Sequence, residues 1–268
     1  PNNNNGIDAD NVGATVFELN VASGNTGNGI YVVASNGAVV KGNTVGLDVA
    51  LTTAIGNGAN GIFAEFLSNA TIGGPLAGDR NFASGNTAAG IKLNSTINTN
   101  VRGNLVGTNF NGLVARPNTI GIQISGPTTT GTIGGIGGPN LISGNTTAGI
   151  QVLDAGGLSI FSNRIGVDAT LISALPNQIG IEVQGGTVTI GTAIAGAENA
   201  IAGNTGDGIR VSGGPAGNAI EGNFIGVDGS GNFSVPNGGH GVNVIGGQPF
   251  IVGNNIANNG LDGLAQGG

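Results

Sequence analysis

The sequence predicts an all-β protein, a right-handed parallel β-helix of about nine coils with three short strands in each coil. A Gly-Ile-x-aliphatic element recurs along the whole chain, and an Asn precedes it by four or five residues each time. Short β-branched runs, separated by Gly and Asn, fill each interval. A repeat of roughly 20–50 residues is typical of a solenoid. No stretch shows the period of a helix, so the short runs are interpreted as strands.

The recurring element sets the register of the coils. Its apolar marker residue falls at Ile7, Ile30, Ile62, Ile91, Ile122, Ile150, Ile181, Ile209, Val242 and Leu264. Longer and shorter intervals alternate, so two coils form one sequence repeat of about 60 residues. For one pair of coils we expect strands at residues 30–33, 38–41 and 44–47, and then at 62–66, 71–73 and 81–83. Right-handedness follows from the general rule for parallel strand connections.

Alternation along each strand predicts which side chains face outward, because successive residues of a strand point to opposite faces. The residue after each marker forms an outward column of Asp8, Tyr31, Phe63, Lys92, Gln123, Gln151, Glu182, Arg210 and Asn243. Glu182 and Arg210 are expected to form an ion pair across adjacent strands. Tyr31 and Phe63 are candidate ligand-facing residues that could stack on a sugar ring, although chance exposure of two aromatic rings is the simpler interpretation.

The Asn that precedes each marker predicts a structural ladder. Its members are Asn25, Asn57, Asn86, Asn118, Asn145, Asn177, Asn204 and Asn237. Asn side chains satisfy turn backbone, and stacked amides can hydrogen-bond to each other along the axis. A second column is suggested in alternate coils by Asn20, Asn81, Asn140, Asn199 and Asn254. Both columns are interpreted as stabilising features and not as binding sites.

Alternate coils also carry a loop of fixed length. Each of these loops starts at an Asx residue, namely Asp48, Asn109, Asp168 or Asp228, and the ladder Asn follows nine residues later. Such regularity favours an Asx turn that defines the loop conformation. Asp48, Asp168 and Asp228 are weak candidates for calcium ligands. No other cofactor or metal site is predicted.

Composition narrows the function classes. The net charge is −7 with only seven Lys and Arg residues, scattered singly, which argues against nucleic-acid binding. There is no Cys, and no apolar run is long enough to span a membrane. We expect an extracellular or cell-surface location. Residues 1–268 are expected to be one solenoid segment that continues in a longer chain or associates end to end, since neither end shows a capping element.

The combined motifs resemble a known group. Asn-x-Ile-Ser-Gly-Asn, Gly-Asn-x-Ile-Gly-Val-Asp and Pro-Asn-x-x-Gly-Ile are similar to the right-handed parallel β-helix repeats of large secreted bacterial proteins. That group shares its architecture with pectate lyases and polygalacturonases. His240, the only His, lies in a Gly-His-Gly element that resembles one in polygalacturonases. The adjacent Asp pair of that family is absent, and Arg164 lies in a distant coil, so the catalytic motifs are not reproduced.

Register nevertheless gives His240 acidic neighbours. Asp207, His240 and Asp262 each lie just before a marker Gly, which predicts that they occupy successive rungs. Such a column could perform acid–base chemistry or hold a metal, but local charge compensation is the simpler interpretation.

Two functions remain open. The first is a structural extracellular module, such as a stalk, fibre subunit or adhesin scaffold, without catalysis. The alternative is a domain that binds or degrades a surface polysaccharide, with Asp207, His240 and Asp228 as its catalytic candidates. The absence of clustered reactive groups favours the non-enzymatic role.

Overall fold

The protein is a right-handed parallel β-helix in the computed structural model, which describes residues 2–267. Each complete coil contributes one strand to each of three parallel sheets, which contain 10, 9 and 8 strands. The helical content of the described residues is a single 3₁₀ turn, Ala77–Asp79, and no helix among them is long and apolar enough to cross a membrane. The predicted fold class is confirmed.

The three sheets are named A, B and C in the order in which the chain enters them. Sheet A contains Ile7–Asp10, Ile30–Val33, Ile62–Glu65, Ala89–Asn94, Ile120–Ser125, Ala148–Val152, Ile179–Val183, Ile209–Val211, Val242–Val244 and Leu264–Gln266. Sheet B contains Val16–Glu18, Val39–Lys41, Thr71–Gly73, Thr99–Arg102, Thr130–Gly134, Gly157–Phe161, Val188–Gly191, Ala219–Glu221 and Phe250–Val252. Sheet C contains Thr44–Val45, Phe82–Ala83, Leu105–Val106, Leu141–Ile142, Arg164–Ile165, Ala200–Ile201, Phe224–Ile225 and Asn255–Ile256.

The pairing register of sheet A follows the marker residues. Ile7 pairs with Ile30, Ile30 with Ile62, and the series continues to Val242 paired with Leu264. The predicted outward column is therefore confirmed. The marker side chains between Ile30 and Val242 are fully buried and stack along the axis. Burial of each Ile relative to solvent contributes about 1.5–3 kcal/mol, so this stack forms a major part of the core.

One Asn ladder occupies the corner where the chain passes from sheet C to sheet A. From Asn25 to Asn237, the Nδ2 of each ladder Asn donates to the Oδ1 of the next at 2.8–3.0 Å. Asn118 shows the complete arrangement. Its Nδ2 donates to Asn145 Oδ1 at 3.0 Å and to the Ala83 carbonyl at 2.9 Å. Its Oδ1 accepts from the backbone N and the Nδ2 of Asn86 at 2.9 and 3.0 Å. The buried amide is thus fully satisfied.

A second Asn ladder occupies the corner between sheets B and C. Its members are Asn20, Asn43, Asn81, Asn104, Asn140, Asn163, Asn199, Asn223 and Asn254, joined from Nδ2 to Oδ1 at 2.8–3.1 Å. The sequence suggested this column only in alternate coils. The structure shows that it runs through every coil. In each long coil, the fixed loop is inserted between the positions of the second and the first ladder, for example between Asn43 and Asn57. That insertion changes the spacing and hides Asn43, Asn104, Asn163 and Asn223 from a search at a fixed offset.

The fixed loops of the long coils fold as arches, here defined as residues 47–54, 108–115, 167–174 and 227–234. An antiparallel bridge closes each arch, for example between Leu47 and Ala54. The arches extend over sheet C, since a Cβ added at Gly112 would lie 2.5 Å from Leu141. Neighbouring arches are hydrogen-bonded in two places, from Phe110 N to Leu51 O and from Ala169 N to Gly112 O. The arches therefore cover sheet C and leave the outer face of sheet A uncovered.

Removal of one ladder amide should destabilise the whole solenoid. In Asn118→Ala, the amide donor of Asn86 and the amide acceptor of Asn145 each lose a buried partner, and we expect a loss of about 1–3 kcal/mol in the free energy of unfolding. Urea denaturation followed by circular dichroism measures this value. The control is Asn232→Ala on an exposed arch position, which should change stability by less than about 0.5 kcal/mol. Equal losses in the two variants would contradict the ladder's role.

Candidate functional site

The outer face of sheet A, called the sheet A face below, brings together most of the candidate site residues. Its first column holds the outward residues that follow the markers, from Asp8 to Asn243. Its second column, two residues further along each strand, begins with Asp10, Val33, Glu65, Asn94 and Ser125. Neighbouring members of a column are one strand spacing apart, about 4.8 Å. Polar and aromatic groups are therefore regularly repeated along the axis.

An aromatic and cationic stack lies near one end of this face. The ring centroids of Tyr31 and Phe63 are 5.1 Å apart and their planes are inclined by 30°. Lys92 Nζ lies 5.1 Å from the centroid of Phe63, within the range of a cation–π interaction. The three side chains lie on successive rungs and are all partly exposed. They form a continuous apolar surface with a positive charge at one end.

The Glu65 carboxylate binds the polar groups beside this stack. It accepts hydrogen bonds from the Tyr31 hydroxyl and, at 2.8 Å, from Asn94 Nδ2. Asn94 Oδ1 in turn accepts from Ser125 Oγ at 3.0 Å. The hydrogen bond to Glu65, together with burial, raises the pKa of Tyr31 to about 12. Tyr31 therefore remains protonated at neutral pH, so it can donate a hydrogen bond but is a poor general base.

The other half of the face carries an amide chain and a buried carboxylate. Gln123 Nε2 donates to Gln151 Oε1 at 2.9 Å, and Gln151 Nε2 donates to Glu182 Oε2 at 2.8 Å. The expected ion pair between Glu182 and Arg210 is wrong. Arg210 instead binds Asp207, with both Nε and a terminal guanidinium nitrogen 2.8 Å from Oδ2. Asp207 lies three residues before Arg210, just ahead of the same sheet A strand, so the two side chains meet within one coil.

The Asp207 side chain is only 4% exposed, and both of its carboxylate oxygens accept hydrogen bonds. Its Oδ1 accepts from the His240 backbone N–H, and its Oδ2 also accepts from Asn243 Nδ2, both at 3.0 Å. Burial opposes ionisation of this carboxyl, but the hydrogen bonds from Asn243, the His240 backbone and Arg210 outweigh it and hold the pKa of Asp207 below its ordinary value. Asp207 therefore stays ionised and positions the groups around it.

The structure places Asp207, His240 and Asp262 on successive rungs, but it does not form a carboxylate–imidazole–carboxylate relay. His240 Nδ1 accepts the Asp262 backbone N–H at 3.2 Å and lies 3.5 Å from Asp262 Oδ2. Asp207 contacts the His240 backbone and not its ring. Asp228 lies in an arch and contacts its own loop. The three catalytic candidates of the alternative function are therefore not assembled into one reactive group.

The arch carboxylates serve their own loops. Asp48 Oδ1 accepts the N–H groups of Thr52 and Thr53 at 2.8 and 3.0 Å, and these bonds lower the pKa of Asp48. Asp228 and Asn109 bind their own arches in the same way, to the N–H groups four and five residues later. Asp168 differs, because its Oδ1 binds Thr170, two residues later. The part of the chain that the structure describes holds no group of three or more His, Cys, Asp or Glu side chains arranged for a metal ion.

Three members of the face were missed in the sequence. Glu65, Asn94 and Ser125 lie two residues after the first column, and the same alternation that identified Tyr31 and Phe63 places them outward. The predicted outward column contains only the position directly after each marker, so it does not include Glu65, the hydrogen-bonded partner of Tyr31.

Comparison with known proteins shows no family for this chain. No family model matches the chain, and no curated protein matches its sequence. Among solved structures, the chain is similar to the periplasmic alginate epimerase AlgG, with a TM-score of 0.49 and 17% identity, over 92% of this chain and 50% of that one. It is also similar to the A-module of the Azotobacter vinelandii mannuronan C-5 epimerase AlgE4, with a TM-score of 0.45 and 13% identity, over 88% of this chain and 61% of that one. The chain thus spans between half and two thirds of the length of these proteins.

The lowered pKa of Asp207 predicts a pH-dependent contribution to stability. The folded-state pKa lies below the ordinary value of 3.8, so the stabilisation is complete above that value and is lost as the pH falls through the folded-state pKa. Asp207→Asn should therefore be less stable than the wild type at pH 6, and the difference should shrink below about pH 4. Chemical denaturation at several pH values measures it. The control Asp262→Asn, at a side chain 74% exposed, should show a small difference at every pH. A gap for Asp207→Asn that widens on acidification would contradict the assignment.

Proposed function

We propose that the protein is an extracellular or cell-surface polysaccharide-binding β-helix, which holds an extended sugar polymer on the sheet A face without degrading it. The observation that carries this proposal is the stack of Tyr31, Phe63 and Lys92, which continues along the axis into a column of amide and charged groups. It takes the binding half of the alternative that the sequence left open, which was a domain that binds or degrades a polysaccharide.

The chemistry of the face suits sugars. Tyr31 and Phe63 present large apolar surfaces at little cost in conformational entropy, and binding sites typically combine such surfaces with a few oriented polar groups. Glu65, Asn94 and Gln123 supply carboxylate and amide groups on neighbouring rungs. Sugar hydroxyls both donate and accept hydrogen bonds, so they can use both kinds of atom.

The repeat of the face favours a polymer over a small molecule. From Asp8 to Asn243 the outward column covers nine rungs, which corresponds to about 38 Å along the axis. No enclosed cavity is needed for a ligand that lies along such a surface. Weak contacts repeated at many rungs reinforce each other, because the later contacts of one chain are made at high effective concentration.

The charges on the face indicate the kind of polymer. Asp8, Glu65 and Glu182 contribute carboxylates, whereas Arg210 is neutralised by Asp207. Lys92 is the remaining cation of the column. We therefore expect neutral polysaccharides to bind more tightly than densely anionic ones.

Binding without turnover agrees with the state of the reactive groups. Tyr31 is held protonated by Glu65, and both oxygens of Asp207 accept hydrogen bonds from protein groups. His240 Nδ1 accepts a backbone N–H, which leaves only Nε2 for an external ligand. No two of the three contact each other through their side chains, so they do not form an acid–base pair among themselves.

A structural role is the second candidate. The two uninterrupted Asn ladders stiffen the rod along its axis, which favours a stalk, fibre or adhesin scaffold that continues in a longer chain or associates with copies of itself. This role is compatible with polysaccharide binding, since a rigid rod presents a long face.

Loss of the aromatic pair should weaken polysaccharide binding. We expect the double variant Tyr31→Ala/Phe63→Ala to bind neutral polysaccharides at least about tenfold more weakly, because buried aromatic anchors typically contribute more than about 1 kcal/mol each. Affinity electrophoresis against a panel of neutral and acidic polysaccharides, followed by calorimetry on the best ligand, measures the change. The matched control is Phe233→Ala, which removes an aromatic side chain that is 64% exposed on an arch over sheet C.

Three results would contradict the proposal. Equal weakening in Phe233→Ala and in the double variant would remove the sheet A face as the binding site. Release of new reducing ends or unsaturated products from any bound polysaccharide would show catalysis, and His240→Ala would then test the catalytic candidates. A folded protein that binds no member of the panel would also contradict the proposal, and the structural role would then be the remaining candidate.

A further inference from the structure

One rung in the C-terminal half of sheet B lacks an outward side chain. In one outward column of this sheet, Gly191 pairs with Glu221, and Glu221 pairs with Val252. Phe161 occupies the rung before Gly191 in the same column. Because Gly191 has no side chain, Phe161 and Glu221 flank an open rung, with their backbones about 9.6 Å apart. The surface of sheet B therefore has a gap at this rung.

The loop at residues 192–198 forms a wall beside this gap. It connects Val188–Gly191 of sheet B to Ala200–Ile201 of sheet C. The next two coils pass the same corner through a single residue each, Gly222 and Gly253, whose φ angles are 61° and 64°. The chain therefore projects in one coil and stays flat in the two that follow, which creates a step in the surface.

Two adjoining hollows lie against this step. The residues that line the first, of about 250 Å³, include Phe161, Ile194 and Glu221. The residues that line the second, of about 360 Å³, include Glu221, Phe224 and Val252. Because Glu221 lines both hollows, they form one groove, called the Glu221 groove below. Its volume is in the range of sites that bind small molecules.

The side chains around the Glu221 groove are mainly apolar. Ile194 and Val252 are 60% and 43% exposed, and Phe161 and Phe224 are partly exposed. Apolar side chains that gather around a hollow on a protein surface often mark a binding site, because leaving them in water is unfavourable. The groove therefore suits a ligand with an apolar body.

Glu221 gives the groove a negative charge that the chain does not neutralise. No Lys, Arg or His side chain of residues 2–267 lies within ion-pair distance of its carboxylate. Glu198 is the second carboxylate of the groove, but its Oε1 accepts the Gly196 N–H at 3.1 Å, and it also lines a separate cleft together with Arg164. Glu221 is therefore the acidic group that a cationic ligand reaches without competition from a cation of the chain.

The surroundings of Glu221 favour an organic cation over a metal ion. Calcium takes about six to eight oxygen ligands, and a carboxylate among apolar walls does not supply them. An organic ammonium needs only a charge-assisted hydrogen bond to one carboxylate, and its apolar part can contact Ile194 and Val252. The faces of Phe161 and Phe224 attract a cation as well.

We propose that the Glu221 groove binds a small organic ammonium ion that carries an aliphatic or aromatic group. Glu221 binds the ammonium, and Phe161, Ile194 and Val252 contact the apolar group. The groove lies on sheet B, so the proposal is independent of polysaccharide binding on the sheet A face.

Titration with benzylammonium tests the groove directly, with the backbone ¹⁵N–¹H resonances of Gly191, Gly222 and Gly253 as the readout. We expect saturable shifts at millimolar concentration. Benzyl alcohol has a similar shape without the charge and should bind about fivefold more weakly, which is the upper end for a partly exposed ion pair. Glu221→Gln should weaken benzylammonium binding by the same factor. The control Glu18→Gln removes a carboxylate near the other end of sheet B and should change the affinity less than twofold.

A second pair of variants tests the apolar contact. Ile194→Ser should weaken benzylammonium binding about threefold, because it removes apolar surface from the wall of the groove. The matched control is Ile172→Ser on the third arch, where the side chain is 63% exposed, and it should leave the affinity unchanged. Both positions are exposed, so both variants should fold, and circular dichroism checks this.

Several results would overturn the proposal. They are equal affinities for benzylammonium and benzyl alcohol, equal affinities of Glu221→Gln and the wild type, and shifts that do not saturate. Tighter binding of a short peptide with a lysine between two leucines would assign the groove to a protein partner instead. Shifts of the same resonances with protein concentration alone would assign it to a second copy of the chain.

Discussion

The hydrogen bonds between stacked Asn side chains are the interaction on which the rest of this structure depends. A buried primary amide is costly unless both of its N–H groups and its oxygen find partners. In each interior ladder Asn, a backbone carbonyl and the neighbouring Asn amides provide them, as seen at Asn118 and Asn163. Such an amide is satisfied only when the adjacent coils are in register. The ladders therefore fix the axial alignment of the coils as well as their stability.

That alignment determines how side chains are arranged on the surface. The ladders run along the B–C and C–A corners, and the chain inserts its loops beside them without interrupting the hydrogen bonds. The arches extend over sheet C, and the shorter loops project from the B–C corner. Sheet A receives no insertion within residues 2–267, so its outward columns form one continuous face. The proposed binding face is therefore free of inserted loops within the described residues.

The fold and register could be read from the sequence because both depend on a repeated local pattern. The markers from Ile7 to Leu264 fixed the pairing of sheet A, and the strand bounds expected for residues 30–83 agree with the structure to within two residues. The second ladder was only half recognised, because the arch insertions change the spacing between its members and the first ladder. Side-chain pairing was less predictable. Arg210 could reach Glu182 or Asp207, and the choice depends on burial and local geometry that spacing does not describe.

Hydrogen exchange of the Asn side-chain amides tests the central claim most directly. In uniformly ¹⁵N-labelled protein, the Nδ2 protons of interior ladder residues such as Asn118 and Asn163 should exchange with solvent as slowly as the buried backbone amides of sheet A. Exposed side chains such as Asn232 should exchange fast in the same sample. Slow exchange confined to the ladder positions is the result expected if the ladders hold the coils together. Ladder Nδ2 protons that exchange as fast as those of Asn232, while the backbone of sheet A stays protected, would contradict it.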